Sequence, residues 1–451
     1  MSDTIAAIST ALGEAAISVL RLSGPEAISL AGRIFSSTTE VGALPSRVAQ
    51  FGRILDLAGR AVDSTLLTVF RAPGSYTGED VVEISCHGGL LVTQKVYALL
   101  LQAGARPAEP GEFTQRAFLN GKMDLTQAEA VMDLIHAQSD LALQAATQQL
   151  EGRLGKSAEE LRADLIHLVA HVEAYIDFPE EDIDPDTGAS LLQRLRGILE
   201  ILQRLLDTAE HGRILRAGAR TVICGAPNVG KSSLLNLLTG FERAIVSPQA
   251  GTTRDTIEEM LHIHGLPFRL VDTAGLREHT TDFIEQHGME RTRRELAQAD
   301  VILEVVDGSQ DAALKHPLDI PEGRRGHLLL LNKADLGLHP SWGTSAGKAI
   351  PLSCQTGAGV EELRSAMRDA VWQGAGSSSD HLVAISARHQ ACFGRAVEAL
   401  QRAEESLRQN VAPEFVALDL REALEAVGEV TGRVDVEEIL GAIFSQFCIG
   451  K

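Results

Sequence analysis

The segment Gly225-Ala-Pro-Asn-Val-Gly-Lys-Ser232 constrains this chain more than any other. It follows the β-rich run Thr221-Val-Ile-Cys224 and precedes the helical pattern of Leu234 to Leu238. A GxxxxGK[ST] string between a strand and a helix lets its glycines curl the backbone, so that successive N–H groups ring phosphate oxygens. The helix N-terminus adds positive dipole charge at the same place. Asn228, Val229, Gly230, Lys231, Ser232 and Ser233 are the expected phosphate-loop contacts, with Lys231 on the β- and γ-phosphates and the Ser232 hydroxyl on Mg²⁺. Such a loop belongs to a doubly wound α/β domain, and strands do alternate with helical patterns from Arg220 to about Trp372.

Further motifs follow in an order that narrows the nucleotide. Gly251-Thr-Thr-Arg-Asp255 supplies a switch threonine, with Thr253 the expected second hydroxyl ligand of Mg²⁺ beside Gly251 and Thr252. Leu270-Val-Asp-Thr-Ala-Gly275 ends an apolar strand, which sets Asp272 to hold Mg²⁺ through water. Gly275 can offer its N–H to the γ-phosphate, with Thr273 and Ala274 in the same loop. Asn332-Lys-Ala-Asp335 follows the strand Leu328 to Leu331. A carboxylate at Asp335 accepts from guanine N1–H and the exocyclic amine, whereas adenine leaves it desolvated and unpaired. Lys333 can lay its stem along the purine. Ser353-Cys-Gln-Thr356 stands where guanine sites usually carry Ser-Ala-Lys; Cys354 and Gln355 depart from that string, but a backbone contact from Ser353 and Cys354 survives. The expected activity is GTP hydrolysis. After Asp272-Thr-Ala-Gly275 comes Leu276, where many switch GTPases place a water-orienting glutamine. Glu285 is the candidate substitute, although on its surroundings alone an ordinary exposed helix glutamate is the stronger reading.

At 451 residues the chain calls for two or three domains. Its formal charge of −20 argues against a broad basic nucleic-acid surface. Arg291, Arg293 and Arg294 read as a solvated helix face. Cys86, Cys224, Cys354, Cys392 and Cys448 lack CxxC spacing, which fits a reducing compartment and gives no zinc pattern. With no signal-like start and no apolar run near the ~20 residues of a membrane span, the chain is expected to be soluble and cytoplasmic.

Before the phosphate loop, strands are expected at Ala16–Leu22, Ala61–Phe70 and Val81–Cys86, with helices from Pro25 to Phe35 and Gly89 to Leu101. From Asp124 the pattern turns helical, with capping boxes at Asp124/Gln127 and Ser157/Glu160. Leucines at Leu161, Leu165 and Leu168 begin a buried stripe. Helical patterning resumes after the linker Gly374-Ala-Gly-Ser-Ser-Ser379. The expected division is 1–119 as an α+β domain, 120–216 and 379–451 as one helical domain in two sequence pieces, and 217–378 as the inserted G domain.

Gly74-Ser-Tyr-Thr-Gly-Glu-Asp80, Pro110-Gly-Glu-Phe-Thr-Gln-Arg-Ala-Phe-Leu-Asn120, Lys122 to Glu129, Asp272 to Arg277 and the terminal Phe447-Cys-Ile-Gly-Lys451 are carried nearly end to end in a pattern that resembles the MnmE (TrmE) family of tRNA-modifying GTPases. The resemblance implies a homodimer with an N-terminal folate-binding domain. It also implies a heterotetramer with the flavoprotein MnmG that modifies carbon 5 of the wobble uridine in tRNA, installing aminomethyl or carboxymethylaminomethyl groups. The one-carbon unit would come from 5-formyltetrahydrofolate or a related tetrahydrofolate. By matching motif, Arg21, Glu83, Lys122 and Lys451 would contact the folate. K⁺ would be held by Asn228 with Ser247, Gln249 and Thr252, and Glu285 matches the family's catalytic glutamate. Cys448 matches a cysteine regarded as important there, and a buried structural thiol is the simpler expectation for it. The family's Pro-Pro-Gly-rich start is replaced by Thr10-Ala-Leu-Gly-Glu-Ala-Ala-Ile17, which is expected to alter the loop near Arg21. Two rivals differ in class: a GTP-dependent assembly switch without folate chemistry, and a self-sufficient folate-dependent transferase with a regulatory G domain.

Overall fold

The computed structural model describes residues 3–177, 187–242, 258–271, 294–314, 326–343, 349–372, 384–409, 411–433 and 437–450. The chain folds as two compact units, one of Met1–Met132, Leu150–His171 and Leu420–Lys451, the other of Asp133–Gln149 and Val172–Asp419.

The first unit begins with β1 (Ile5–Ile8), β2 (Ile17–Ser23), α1 (Ala27–Ile34), β3 (Phe35–Ser36), β4 (Ala49–Leu55), β5 (Ala61–Phe70), β6 (Val81–His87), α2 (Leu90–Ala103) and β7 (Arg106–Pro107). The strands form a seven-stranded sheet in the order β3-β4-β5-β6-β2-β1-β7. Neighbours are antiparallel except β1 and β7, which run parallel. Strand alternation decides what each face carries. Leu20, Leu22, Val82 and Ile84 bury themselves with Leu30 and Ile34 of α1 and Val96 and Leu100 of α2. Arg21 and Glu83, one residue out of phase, therefore lie on the opposite face. That face also receives Phe113 of α3 (Glu112–Leu119), packed with Ile5, Ala7 and Ala108.

Helices follow: α4 (Leu125–His136), α5 (Asp140–Leu150), α6 (Arg153–Asp177), α7 (Thr187–Asp207) and α8 (Ala209–Ala217). The Asp124/Gln127 box forms reciprocally, with Gln127 N donating to Asp124 Oδ1 and Asp124 N to Gln127 Oε1, both at 3.0 Å. The Ser157/Glu160 box does not start a helix, because α6 begins at Arg153 and Ser157 lies inside it. The cause is Gly152, whose φ of +85° turns the chain out of α5 and straight into α6. Leu154 and Ala158 are already buried, so the apolar stripe begins before the cap signal.

The last helices span Ala387–Arg408, Pro413–Thr431 and Glu437–Phe444. Phe444 and Phe447 pack with Leu125, Ala128 and Met132, and Ile449 bridges to Pro110. Phe447 takes the buried place in this tail, so Cys448 is exposed and not a buried structural thiol.

In the second unit β8 (Ala219–Cys224), α9 (Lys231–Glu242), β9 (Glu258–Ile263), β10 (Leu266–Val271), β11 (Val301–Asp307), β12 (His327–Asn332) and β13 (Ala349–Pro351) build a six-stranded sheet ordered β13-β12-β11-β8-β10-β9. All pairs are parallel except β9 with β10, a hairpin turning at His264-Gly265. Ile223, Val301, Leu303, Val305, Leu330 and Leu363 form its core. The whole is the multidomain α/β architecture expected. Among the described residues no helix is long and apolar enough to cross a membrane.

Candidate functional site

β8 delivers the chain into the phosphate loop, and α9 takes over at Lys231. Lys231 Nζ donates to the carbonyls of Gly225 at 3.0 Å and Ala226 at 2.7 Å. Burial lowers the Lys231 pKa from its ordinary value, a cost that a phosphate beside the ammonium would offset. Asn228 sits at φ +62°, a left-handed conformation that asparagine tolerates better than most residues. Ser232 and Ser233 are exposed in the first turn of α9. At Gly230, φ is +103°, and an added Cβ would stand 2.1 Å from Asn332 Nδ2. No other residue fits there.

Asn332 is the reason for that crowding. Its Nδ2 donates to the Val229 carbonyl at 2.8 Å, and its Oδ1 accepts from Cys354 N at 3.1 Å. Ser353 Oγ donates to Asp335 Oδ1 at 2.6 Å, which leaves the second carboxylate oxygen for a ligand's donors. The Cys354 thiol is pushed up to about 11 by burial, and the Asp335 charge adds to the rise. It is therefore a neutral, compact group where the usual string has alanine. Lys333 stands at φ +65°, and its Nζ is 2.6 Å from Asp307 Oδ2. Gly225, Asn228, Val229, Asp307 and Lys333 help to line a cavity of about 610 Å³. Asp307 was not read as functional from the sequence; its only signal was a carboxylate closing an apolar strand.

Ser247, Gln249, Gly251, Thr252 and Thr253 lie outside the described residues, as do Asp272, Thr273, Ala274, Gly275 and Glu285.

The first unit carries a second cluster. Arg21 and Glu83 are direct partners across β2 and β6, joined by Nε–Oε1 at 3.0 Å and Nη2–Oε1 at 2.8 Å. The Arg21 guanidinium lies 5.6 Å from the Tyr76 ring centre and 5.7 Å from that of Phe113. Tyr76 Oη pairs with Thr114 Oγ1 at 2.9 Å, and burial raises the phenol's pKa. Lys122 Nζ donates to the Pro73 carbonyl at 3.0 Å, close to the Gly74–Asp80 segment, and Lys451 lies outside the described residues. The replaced start is an exposed loop from Ala11 to Ala16 that runs into β2 at Ile17, with Thr10 Oγ1 2.9 Å from Ser18 Oγ.

Beneath this cluster Arg116, only 1% exposed, pairs with Asp3, Glu79 and Glu112 at 2.9, 3.2 and 2.9 Å. Sequence reading passed over this network and over Tyr76 and Phe113. The Glu112/Arg116 spacing of one helical turn was the available signal.

A mostly parallel sheet with a phosphate loop after β8, and an Asn-Lys-Ala-Asp loop after β12 tied to it through Asn332, defines a P-loop GTP hydrolase. Family models agree over most of the chain: "MnmE helical domain" matches residues 125–448 and "GTP-binding protein TrmE N-terminus" matches residues 4–122. A tRNA modification GTPase MnmE of Akkermansia muciniphila is 54% identical over 452 residues, covering 99% of each chain. Its namesake of Aquifex aeolicus is 45% identical over 455 residues and 100% of each chain. Among solved structures, the G domain of the T. maritima FeoB iron transporter matches 34% of this chain and 99% of its own, with 24% identity and a TM-score of 0.26. The chain belongs to the MnmE (TrmE) family of tRNA modification GTPases.

Proposed function

We propose that this chain is a homodimeric, K⁺-stimulated GTPase that acts with the flavoprotein MnmG, in a heterotetramer, on carbon 5 of the tRNA wobble uridine. The carbon added comes from a tetrahydrofolate, 5-formyltetrahydrofolate or a relative. Residues 1–119 form the folate-binding and dimerising part, 217–378 the G domain, and 120–216 with 379–451 the helical part. The observation that carries the reading is family membership over the full length together with the joined loops at Asn332.

GTP enters with its phosphates over Gly225–Ser233, where backbone N–H groups and Lys231 receive them. Guanine seats against Lys333, with Asp335 accepting from N1–H and the exocyclic amine, and with Ser353 and Cys354 closing the far edge. Glu285 orients the attacking water in place of glutamine. The donor set suits hard cations: Asn228 and Ser232 are exposed, and among the described residues neither side chain is taken up by a hydrogen bond. Mg²⁺ on Ser232 and Thr253, with Asp272 acting through water, and K⁺ on Asn228, Ser247, Gln249 and Thr252 would offset the negative charge that develops on phosphate oxygens. In the first unit, the Arg21–Glu83 pair between Tyr76 and Phe113 offers a planar charged edge flanked by rings, which suits a pterin. Lys122 and Lys451 suit the ligand's carboxylates.

Reconstitution tests the proposal. The chain is incubated with MnmG, unmodified tRNA, GTP, a one-carbon tetrahydrofolate, a hydride donor for the flavin and either glycine or ammonium as nitrogen donor, and the nucleosides are separated by mass. Modified uridine that requires every component is expected. Product without the flavoprotein would favour a self-sufficient transferase, and no product with all components present would favour an assembly switch.

A further inference from the structure

β11 is buried at all seven positions from Val301 to Asp307, so its last residue is a carboxylate brought to the end of an apolar strand with little freedom. Asp307 Oδ1 accepts from Ser309 N at 3.1 Å and Ser309 Oγ at 2.6 Å. Its other oxygen receives Lys333 Nζ at 2.6 Å. The next residue grips the same loop through its backbone. Gly308 N donates to the Asn332 carbonyl at 2.7 Å, and His339 N donates to the Gly308 carbonyl at 2.8 Å. The Asp307–Ser309 turn thus holds the Asn332–His339 segment at its start, at its lysine and at its end.

A free lysine stem samples many rotamers, and fixing it carries an entropic cost. Here that cost is met in the fold, before any ligand arrives. The ion pair also keeps the ammonium at one end, so the methylenes are left as an apolar strip, suited to the face of a purine. Burial alone would raise the Asp307 pKa, but the hydrogen bonds from Lys333 and Ser309 outweigh it and hold the carboxyl below its ordinary value. It is charged throughout the neutral range.

We propose that Asp307 is a positioning residue for guanine-nucleotide binding, acting through Lys333 by anchoring its ammonium and so preforming the surface on which the base stacks. This rests on reading Asn332–Asp335 as the base-reading loop. Asp307→Asn keeps shape and removes the charge; Lys333→Met keeps the stem and removes the anchor.

The test is a double-mutant cycle on the full chain, with affinity for a fluorescent GDP as the readout. Each single variant is expected to weaken GDP about tenfold, the scale of one charge-assisted hydrogen bond. The double variant is expected to be no weaker than Lys333→Met alone. If the two losses multiply, Asp307 acts other than through Lys333 and the proposal is overturned. If Asp307→Asn does not fold, Lys333→Met decides by itself: GDP affinity equal to the parent overturns the proposal. Asp335→Asn separates failure of the underlying reading. It should move preference from GDP toward xanthosine diphosphate, since an amide can donate to the xanthine 2-oxygen. An unmoved preference defeats the base-loop reading itself, whatever the cycle shows.

Discussion

Asn332 Nδ2 donates to the Val229 carbonyl at 2.8 Å, across a sequence separation of 103 residues. Through its Oδ1 the same side chain receives Cys354 N at 3.1 Å, so one amide fastens the phosphate loop to the last base loop. Asn332 is buried, and water is a poor substitute for either bond. Asn332→Ala should therefore leave the buried Val229 carbonyl and the partly buried Cys354 N–H without this partner. The expected destabilisation is about 2–4 kcal/mol, together with loss of GDP affinity. Urea unfolding and a GDP titration check it, and a variant with parental values in both would remove Asn332 from the architecture of the site.

Glu285→Ala should bind GTP nearly as the parent does but turn over at least ~10²-fold more slowly, the scale of a lost water-orienting or acid–base group. Single-turnover hydrolysis at saturating enzyme separates the two quantities. Unchanged turnover would take Glu285 out of the mechanism.

The Arg116 network makes stability depend on acid. Burial pushes Glu112 up from its ordinary 4.5, yet the Arg106 and Arg116 hydrogen bonds prevail and hold it lower. Asp3 is likewise held below its ordinary 3.8, first by the hydrogen bond from Arg106. Depressed carboxylates stabilise the fold above their unfolded pKa values and lose that contribution as pH falls through the folded ones. Arg116→Met should cost about 2–3 kcal/mol at neutral pH, where it takes one charged partner from the buried Glu112 and from the partly buried Glu79. The cost should shrink as pH drops below about 4 and those carboxylates protonate. Denaturant midpoints for parent and variant at both pH values provide the check, and an equal cost at both would contradict a role through charge.

The phosphate and base loops were legible in the sequence because each is a short contiguous string whose chemistry lies in its own residues. Gly230 and Asn332 could each be named that way. What could not be read is that a Cβ at one would strike the amide of the other, because that contact follows from the order of strands in the sheet. Asp307 escaped for the same reason: only the parallel register of β11 and β12 sets it beside Lys333, 26 positions on. Arg21 and Glu83 were named through resemblance, and their mutual ion pair appears only once β2 and β6 are paired. Ser157 misled because a capping string and the middle of a helix can carry the same letters. The glycine that actually turned the chain, Gly152, lay five positions earlier.

The most direct measurement of the central claim is steady-state GTP hydrolysis in KCl and in NaCl at equal ionic strength, with Mg²⁺ fixed. If Asn228 and the loop from Ser247 to Thr252 hold K⁺ against the phosphates, hydrolysis should be strongly faster in KCl. Equal, slow rates in both salts would contradict the cation mechanism and favour a GTP-dependent assembly switch.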